Sequence, residues 1–225
     1  MILYQKGQTM PSRNLAIIRR DINRLHDLMQ EHIETEPALA AVAELVQQKK
    51  DEVNSCFQKF QSAAVTGDKE RDEHDEAITI LLKWIQKWRP VILTLVPGAD
   101  SNLKNLPSGA ATPDDIIRVA EDMVKFINSD NSAASFRAKA IDAMGDKLTS
   151  AQKETKEAIW ALPVETKAQS DYTKACLDAN PVLVKCLKIV KAAFGPTSPE
   201  YKQFIARKSA REEDEIDRES ELGEE

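Results

Sequence analysis

Large apolar residues recur along most of this chain at alternating intervals of three and four. The clearest run is Glu76–Val96, with Ile78, Leu81, Ile85, Trp88, Ile92 and Leu95 in register. That spacing is the mark of a helix packed along a seam. Ala77, Leu82, Trp84 and Val91 widen the seam into a core-facing stripe, while Lys83, Gln86, Lys87 and Arg89 fill the opposite side.

The same pattern predicts the other elements. A first helix is expected from Ser12 or Asn14 to about Glu34, on Leu15, Ile18, Ile22, Leu25 and Met29. Pro37 suits the first position of a second helix reaching about Val65, with its seam on Leu39, Val42, Val46, Val53, Cys56 and Phe60. Thr66-Gly67-Asp68 reads as a turn, followed by the charged run DKERDEHDE and then the organising stretch, with a kink expected at Pro90. Residues 97–112 concentrate Pro, Gly, Ser and Asn and read as a linker. Thr112-Pro113-Asp114-Asp115 is a helix start, with a cap, a proline and acids at the positive end of the helix dipole. Its stripe is Ile116, Val119 or Ala120, Met123 and Ile127. A fifth helix is expected from Asp130 to Leu162 with Gly145 as a weak point, and Pro163 as the next break. The sixth carries Ala168, Tyr172, Ala175, Ala179, Val182, Cys186 and Ile189, and Gly195-Pro196 ends it.

The fold class expected is therefore all-α, an antiparallel helical bundle of about six helices. The expected organisation is a first helical half over 1–97, a linker over 98–112, a second half over 113–206 and a charged tail over 207–225. Shifting the chain by 97 residues sets Gly98 on Gly195, Ile85 on Val182 and Ile92 on Ile189. Two pseudo-repeated three-helix halves fit that match, although coiled-coil-like helices imitate repeats easily.

Composition narrows the function classes. The 7 glycines, 5% aromatic and 30% charged residues suit a helix-rich chain. The net charge of -6 is uneven: residues 211–225 hold nine acidic side chains against two arginines, leaving 29 basic and 28 acidic in the rest. A nearly neutral body argues against a general nucleic-acid binder. The longest uncharged apolar run, near Pro90–Ala99, is about half of the ~20 residues a membrane span needs. With no signal-peptide pattern at Met1–Gly7 and no CxxC pair among Cys56, Cys176 and Cys186, a cytoplasmic location is expected.

Little catalytic chemistry is legible. The residues three before His26, His32 and His74 are Asn23, Met29 and Arg71, so the Glu-x-x-His pairs of di-iron bundles are missing. Walker-type, GxGxxG and GxSxG stretches are absent. Neither metal, cofactor nor enzymatic activity is expected. Trp84 and Trp88 beside Lys87 could be core aromatics with snorkelling cations, or a partner-binding or membrane-surface face. Arg207, Lys208 and Arg211 precede the acids of the tail and extend the candidate interaction surface. The expected function is a non-enzymatic scaffold or adaptor acting through protein–protein contacts, including self-association. The alternative is a carrier of an apolar ligand, with room left by Ala151, Ala158, Ala168, Ala175 and Ala179.

The segment Gly195-Pro196-Thr197-Ser198-Pro199-Glu200-Tyr201 resembles a Gly-x-x-Ser-Pro-Glu-Tyr signature near the C-terminus of uncharacterised all-helical bacterial proteins. The likeness covers under a tenth of the chain and implies no activity. Where those proteins often continue with Gly-Thr-Arg and a basic tail, this chain has Phe204-Ile205-Ala206-Arg207-Lys208 and then acids.

Overall fold

The computed structural model describes residues 12–96 and 112–205. The described residues are all-α and contain no strand. The helices are α1 (Ser12–His32), α2 (Pro37–Leu95), α3 (Pro113–Ser129), α4 (Arg137–Met144), α5 (Lys147–Phe194) and α6 (Pro199–Ile205), with a 3-10 turn at Asn131–Ala133. The linker expected at 98–112, Thr112 apart, and the tail expected at 207–225 lie outside the described residues, as does Gly98 of the proposed repeat.

The helices form two compact units. Among the described residues, a terminal unit combines those up to Gln61 with those from Lys167 onward, and a central unit holds those from Ser62 to Thr166. This division differs from the sequential halves expected at 1–97 and 113–206. The reason is that α2 and α5 are much longer than expected, 59 and 48 residues, and each contributes to both units.

Two expected breaks are not breaks. Helix α2 continues through Thr66-Gly67-Asp68, where Thr66 Oγ1 donates to Ser62 O at 2.9 Å and Arg71 bonds Asp68 one turn on. Helix α5 continues through Pro163. Pro163, Pro181 and Pro90 are all exposed. On an outward face, the carbonyl that each proline leaves without an N–H partner can turn to water, so a helix tolerates the residue there. Thr166 Oγ1 donates to Leu162 O at 2.8 Å, and Thr94 Oγ1 to Pro90 O at 2.8 Å.

A break appears instead where one long helix was expected over 130–162. Asp130 caps the 3-10 turn, its carboxylate accepting from Ser132 N at 2.8 Å. Arg137 then ties the end of α3, donating to Ile127 O and Asp130 O at 2.7 Å each. Gly145 ends α4 at φ 51°, ψ −126°, a conformation that glycine reaches without the Cβ penalty.

In the terminal unit, α1 and α2 run antiparallel. Asn23 and Asn54 exchange amide hydrogen bonds at 2.8 and 3.4 Å, and Lys50 Nζ lies 2.9 Å from His26 Nδ1. Ile22, Leu25, Leu28 and Met29 of α1 close on Leu39 and Val46 of α2 and on Leu183, Cys186 and Val190 of α5. Each such fully buried side chain contributes roughly 1.5–3 kcal/mol relative to exposure. A neighbouring cluster joins Val53 to Tyr172, Ala175, Cys176 and Ala179. After Gly195 (φ 91°), Ser198 Oγ accepts from Tyr201 N at 3.1 Å and starts α6, whose Tyr201 and Phe204 pack back on the core. The Gly-x-x-Ser-Pro-Glu-Tyr segment is, in physical terms, a helix stop followed by a helix start.

In the central unit, the organising stretch behaves as its spacing requires. Leu81, Ile85 and Ile92 are fully buried with Ile116, Val119, Ala120, Met123 and Ile127 of α3, and with Phe136, Ala140, Met144 and Ala151. Leu95 departs from the pattern and is exposed, while the next residue, Val96, is buried. Thr112 caps α3 as expected: its hydroxyl accepts from Asp115 N at 3.2 Å, and the Asp115 carboxylate accepts from Thr112 N at 3.3 Å. The Thr112 hydroxyl and backbone and the Arg118 guanidinium hold the Asp115 carboxyl below its ordinary range.

Candidate functional site

The seam does not run unbroken through the central unit. Between Ser62 and Glu76 of α2, and between Gln152 and Thr166 of α5, Gly67 is the one buried residue. No apolar side chain is buried in either stretch. The contact is made instead by close approach and by charge. A Cβ built on Gly67 would lie 2.9 Å from Glu165 Oε2. Arg71 Nη1 donates to that same oxygen at 3.0 Å while its other nitrogen holds Asp68. Asp68 first, then Glu165, raise the Arg71 pKa and keep the guanidinium charged.

The apolar side chains of this stretch of α5 point to solvent. Trp160 is 69% exposed, Val164 61%, Ile159 58% and Leu162 49%, and Pro163 is exposed among them. Ile159 and Pro163, and Trp160 and Val164, are spaced by four and so lie one turn apart on the helix surface. Lys156 is one turn before Trp160 and exposed. Lys153 precedes it, paired with Glu154 and Glu157 at 2.9 Å each, and the Glu157 hydrogen bond, then that of Glu154, raises its pKa. On α2 the exposed charges are mostly acidic, Asp68, Asp72, Asp75 and Glu76 with Lys69 among them, next to an exposed Val65. Scattered single apolar residues need no explanation, but a cluster headed by an exposed tryptophan is the kind of surface that marks a docking site.

Three carboxylates also meet in the central unit. One oxygen from each of Glu70, Glu73 and Glu154 lies within 4.8 Å of the others. Oε2 of Glu70 and of Glu154 is enclosed without a hydrogen bond. An all-oxygen set of this kind suits a hard cation such as Ca2+ or Mg2+. Lys69 at 3.3 Å from Glu73 and Lys153 at 2.9 Å from Glu154 already supply positive charge there. The set was not legible in the sequence, because it joins an i, i+3 pair on α2 to one residue of α5.

The residues singled out from the sequence fall elsewhere. Trp84 is buried, and its Nε1 donates to Ala140 O at 3.1 Å, tying α2 to α4. Trp88 is buried and stacks on Phe136 with centroids 6.2 Å apart. The two indoles therefore do not form an exposed face with Lys87, whose Nζ lies 5.6 Å from the Trp88 ring. The packing reason is that they occupy seam positions, where a large aromatic buries the most area. Arg207, Lys208 and Arg211 lie outside the described residues. Burial raises the pKa of the Cys176 and Cys186 thiols, which makes them poor nucleophiles at neutral pH. Of the small seam residues, Ala151, Ala175 and Ala179 are buried within the clusters above. An open cavity of about 600 Å³ in the terminal unit is lined by Arg24, Asp27, Leu28, Gln30, Glu31 and Gln203, a mostly polar set.

Among the described residues no helix is long and apolar enough to cross a membrane. No protein-family model matches the chain, and no curated protein or solved structure matches it.

Proposed function

We propose that this protein is a non-enzymatic helical scaffold or adaptor that works through protein–protein contacts made by the outer face of α5. The observation that carries this reading is the exposed face formed by Ile159, Trp160, Pro163 and Val164, on a stretch of paired helices that buries no apolar side chain of its own. Two helices in one layer give their apolar residues nothing to pack against, and a further layer satisfies them. The alternative, a carrier of an apolar ligand, has less support. The cavity in the terminal unit is open and is lined by charged and amide side chains with Leu28, and Ala151, Ala175 and Ala179 sit inside packed clusters.

The test is a photo-activated cross-linking residue placed at position 160 of the full chain in its native cell. The same residue at the exposed, polar Gln86 of the same unit sets the background. Protein adducts well above that background are expected from position 160. Adduct yields equal at the two positions would remove the reading.

A further inference from the structure

We infer that the acidic C-terminal segment, residues 211–225, docks on the outer face of α5 in the terminal unit of the same chain. Trp160 plays no part in this contact.

In the terminal unit α5 carries a second seam on its solvent side. Leu177, Pro181, Val184, Lys188 and Lys191 follow one another at intervals of four and three, as core residues do, yet all five are exposed. Leu177 is 58% and Val184 49% exposed. Lys174 and Lys185 flank them on the same side. The two acids of this stretch, Asp171 and Asp178, fall at the edge of the face away from Lys191. The face is therefore apolar along its middle and positive around it. Charges on α1 beside α6 are mixed, with Arg24, Asp27 and Glu31 around the cavity that Gln203 shares, so the positive excess belongs to α5.

Two observations name the occupant. One is where the described chain ends. After Gly195 the chain turns back, and the Tyr201 ring of α6 lies 5.8 Å from Lys191 Nζ, at the C-terminal end of the outer seam. Tyr201 and Phe204 pack on the core that α5 helps to form. Residues 206–225 thus start beside this face. From Lys191 back to Lys174 is about 26 Å of helix, and the 20 residues after Ile205 span about 30 Å even in helical form, and more if extended.

The other observation is complementarity. Residues 211–225 hold nine acidic side chains against two arginines, with Ile216 and Leu222 among them. An acidic segment with two apolar residues meets a basic face with an apolar middle. Each exposed ion pair adds little. A short tether, however, holds the tail at roughly millimolar local concentration, where even a weak contact is well populated. Docked, the tail covers Leu177 and Val184 and neutralises the lysines around them.

The experiment is carbodiimide cross-linking of the full chain at low protein concentration, which joins a carboxylate to a lysine that it touches, with the joins mapped by mass spectrometry. Lys59, exposed on α2 in the same unit, is the reference. Joins from the tail to Lys174, Lys185 and Lys188 are expected at about fivefold the Lys59 yield or more, the excess vanishing near 1 M salt, where screening acts beyond ~3 Å. Lys185→Glu with Lys188→Glu should bring the Lys174 joins down to the Lys59 level, with the circular dichroism spectrum unchanged. Leu177→Ser with Val184→Ser alters no charge and should lower the Lys174 joins about threefold, which a merely electrostatic cloud would not show. Equal yields at Lys174 and Lys59, or joins unmoved by either double variant, overturn the inference. So do joins that form only between chains, read from a mixture of isotopically labelled and unlabelled protein, since the occupant would then be another copy's tail. Equally tight binding of phosphatidylserine vesicles by the wild type and by a chain carrying Glu212→Gln, Glu213→Gln and Glu215→Gln also overturns it, because a face open to an anionic membrane has no tail upon it.

Discussion

Replacing Gly145 with alanine tests the least expected feature of the fold, the interruption between α4 and α5. Gly145 sits at φ 51°, ψ −126°, and a Cβ there would meet only Asp142 O, at an ordinary 3.7 Å. The cost is therefore conformational and not steric. Holding a residue with a side chain in such a region costs about 1–3 kcal/mol. Loss of the glycine's freedom in the unfolded chain returns about 0.4–1 kcal/mol. The variant should be less stable by about 1–2 kcal/mol in urea titrations followed by circular dichroism, with the slope unchanged. For a chain of this length that corresponds to about 2–8 °C in Tm. Gly67→Ala is the control. Gly67 lies inside α2, where alanine is favoured by about 1 kcal/mol. Its Cβ would displace only the end of the Glu165 side chain, disturbing a pair with a partly exposed Arg71 that is worth at most about 1 kcal/mol. Gly67→Ala should come out near neutral. If Gly145→Ala instead stabilises the protein, residues 137–162 form the single helix that periodicity alone suggests, and the reasoning fails.

Three further outcomes are expected. Ile92→Ala should cost about 2–5 kcal/mol in the same titration, and Leu95→Ala under about 0.5 kcal/mol, because the first is fully buried and the second exposed. Equal losses would place the core on the wrong face. Burial raises the Tyr172 pKa, so the folded state keeps its proton where the unfolded state loses it. Stability from this group is complete below a free tyrosine's pKa of about 10 and is lost as pH rises beyond it. Urea titrations of the wild type between pH 8 and 11 should show that fall, and Tyr172→Phe should flatten it. Thiol labelling of the native protein at pH 8 should reach half-buried Cys56 first, with Cys176 and Cys186 protected until unfolding. Labelling of all three at one rate in the native protein would contradict the packing.

The seam residues were legible because a helix repeats every 3.6 residues, and a long apolar register leaves little freedom over which face is buried. Ile22, Leu25, Met29, Leu81, Ile85, Ile92 and the whole stripe of α3 follow from spacing alone. Helix ends were less legible, since the local signals were overruled. Gly67 looks like a turn but serves the close approach of Glu165, and Pro163 looks like a stop but faces water. Gly145 looks like a weakened helical residue and is a break. The candidate site was misplaced for a related reason. Trp84 and Trp88 drew attention by their neighbouring lysines, yet they fill seam positions. Trp160 falls outside the register of Ala151 and Ala158, two residues past the latter. A tryptophan out of phase with its own seam was the available signal.

The discontinuity of the terminal unit has a consequence for the newborn chain. Ile22, Leu25, Met29 and Leu39 leave the ribosome more than a hundred residues ahead of Leu183, Cys186 and Val190, which cover them. The central unit is contiguous and ends at Thr166, ahead of all three of those residues. For most of synthesis, then, the N-terminal segment waits with a bare greasy flank, and translation speed and chaperone supply decide how safely it waits.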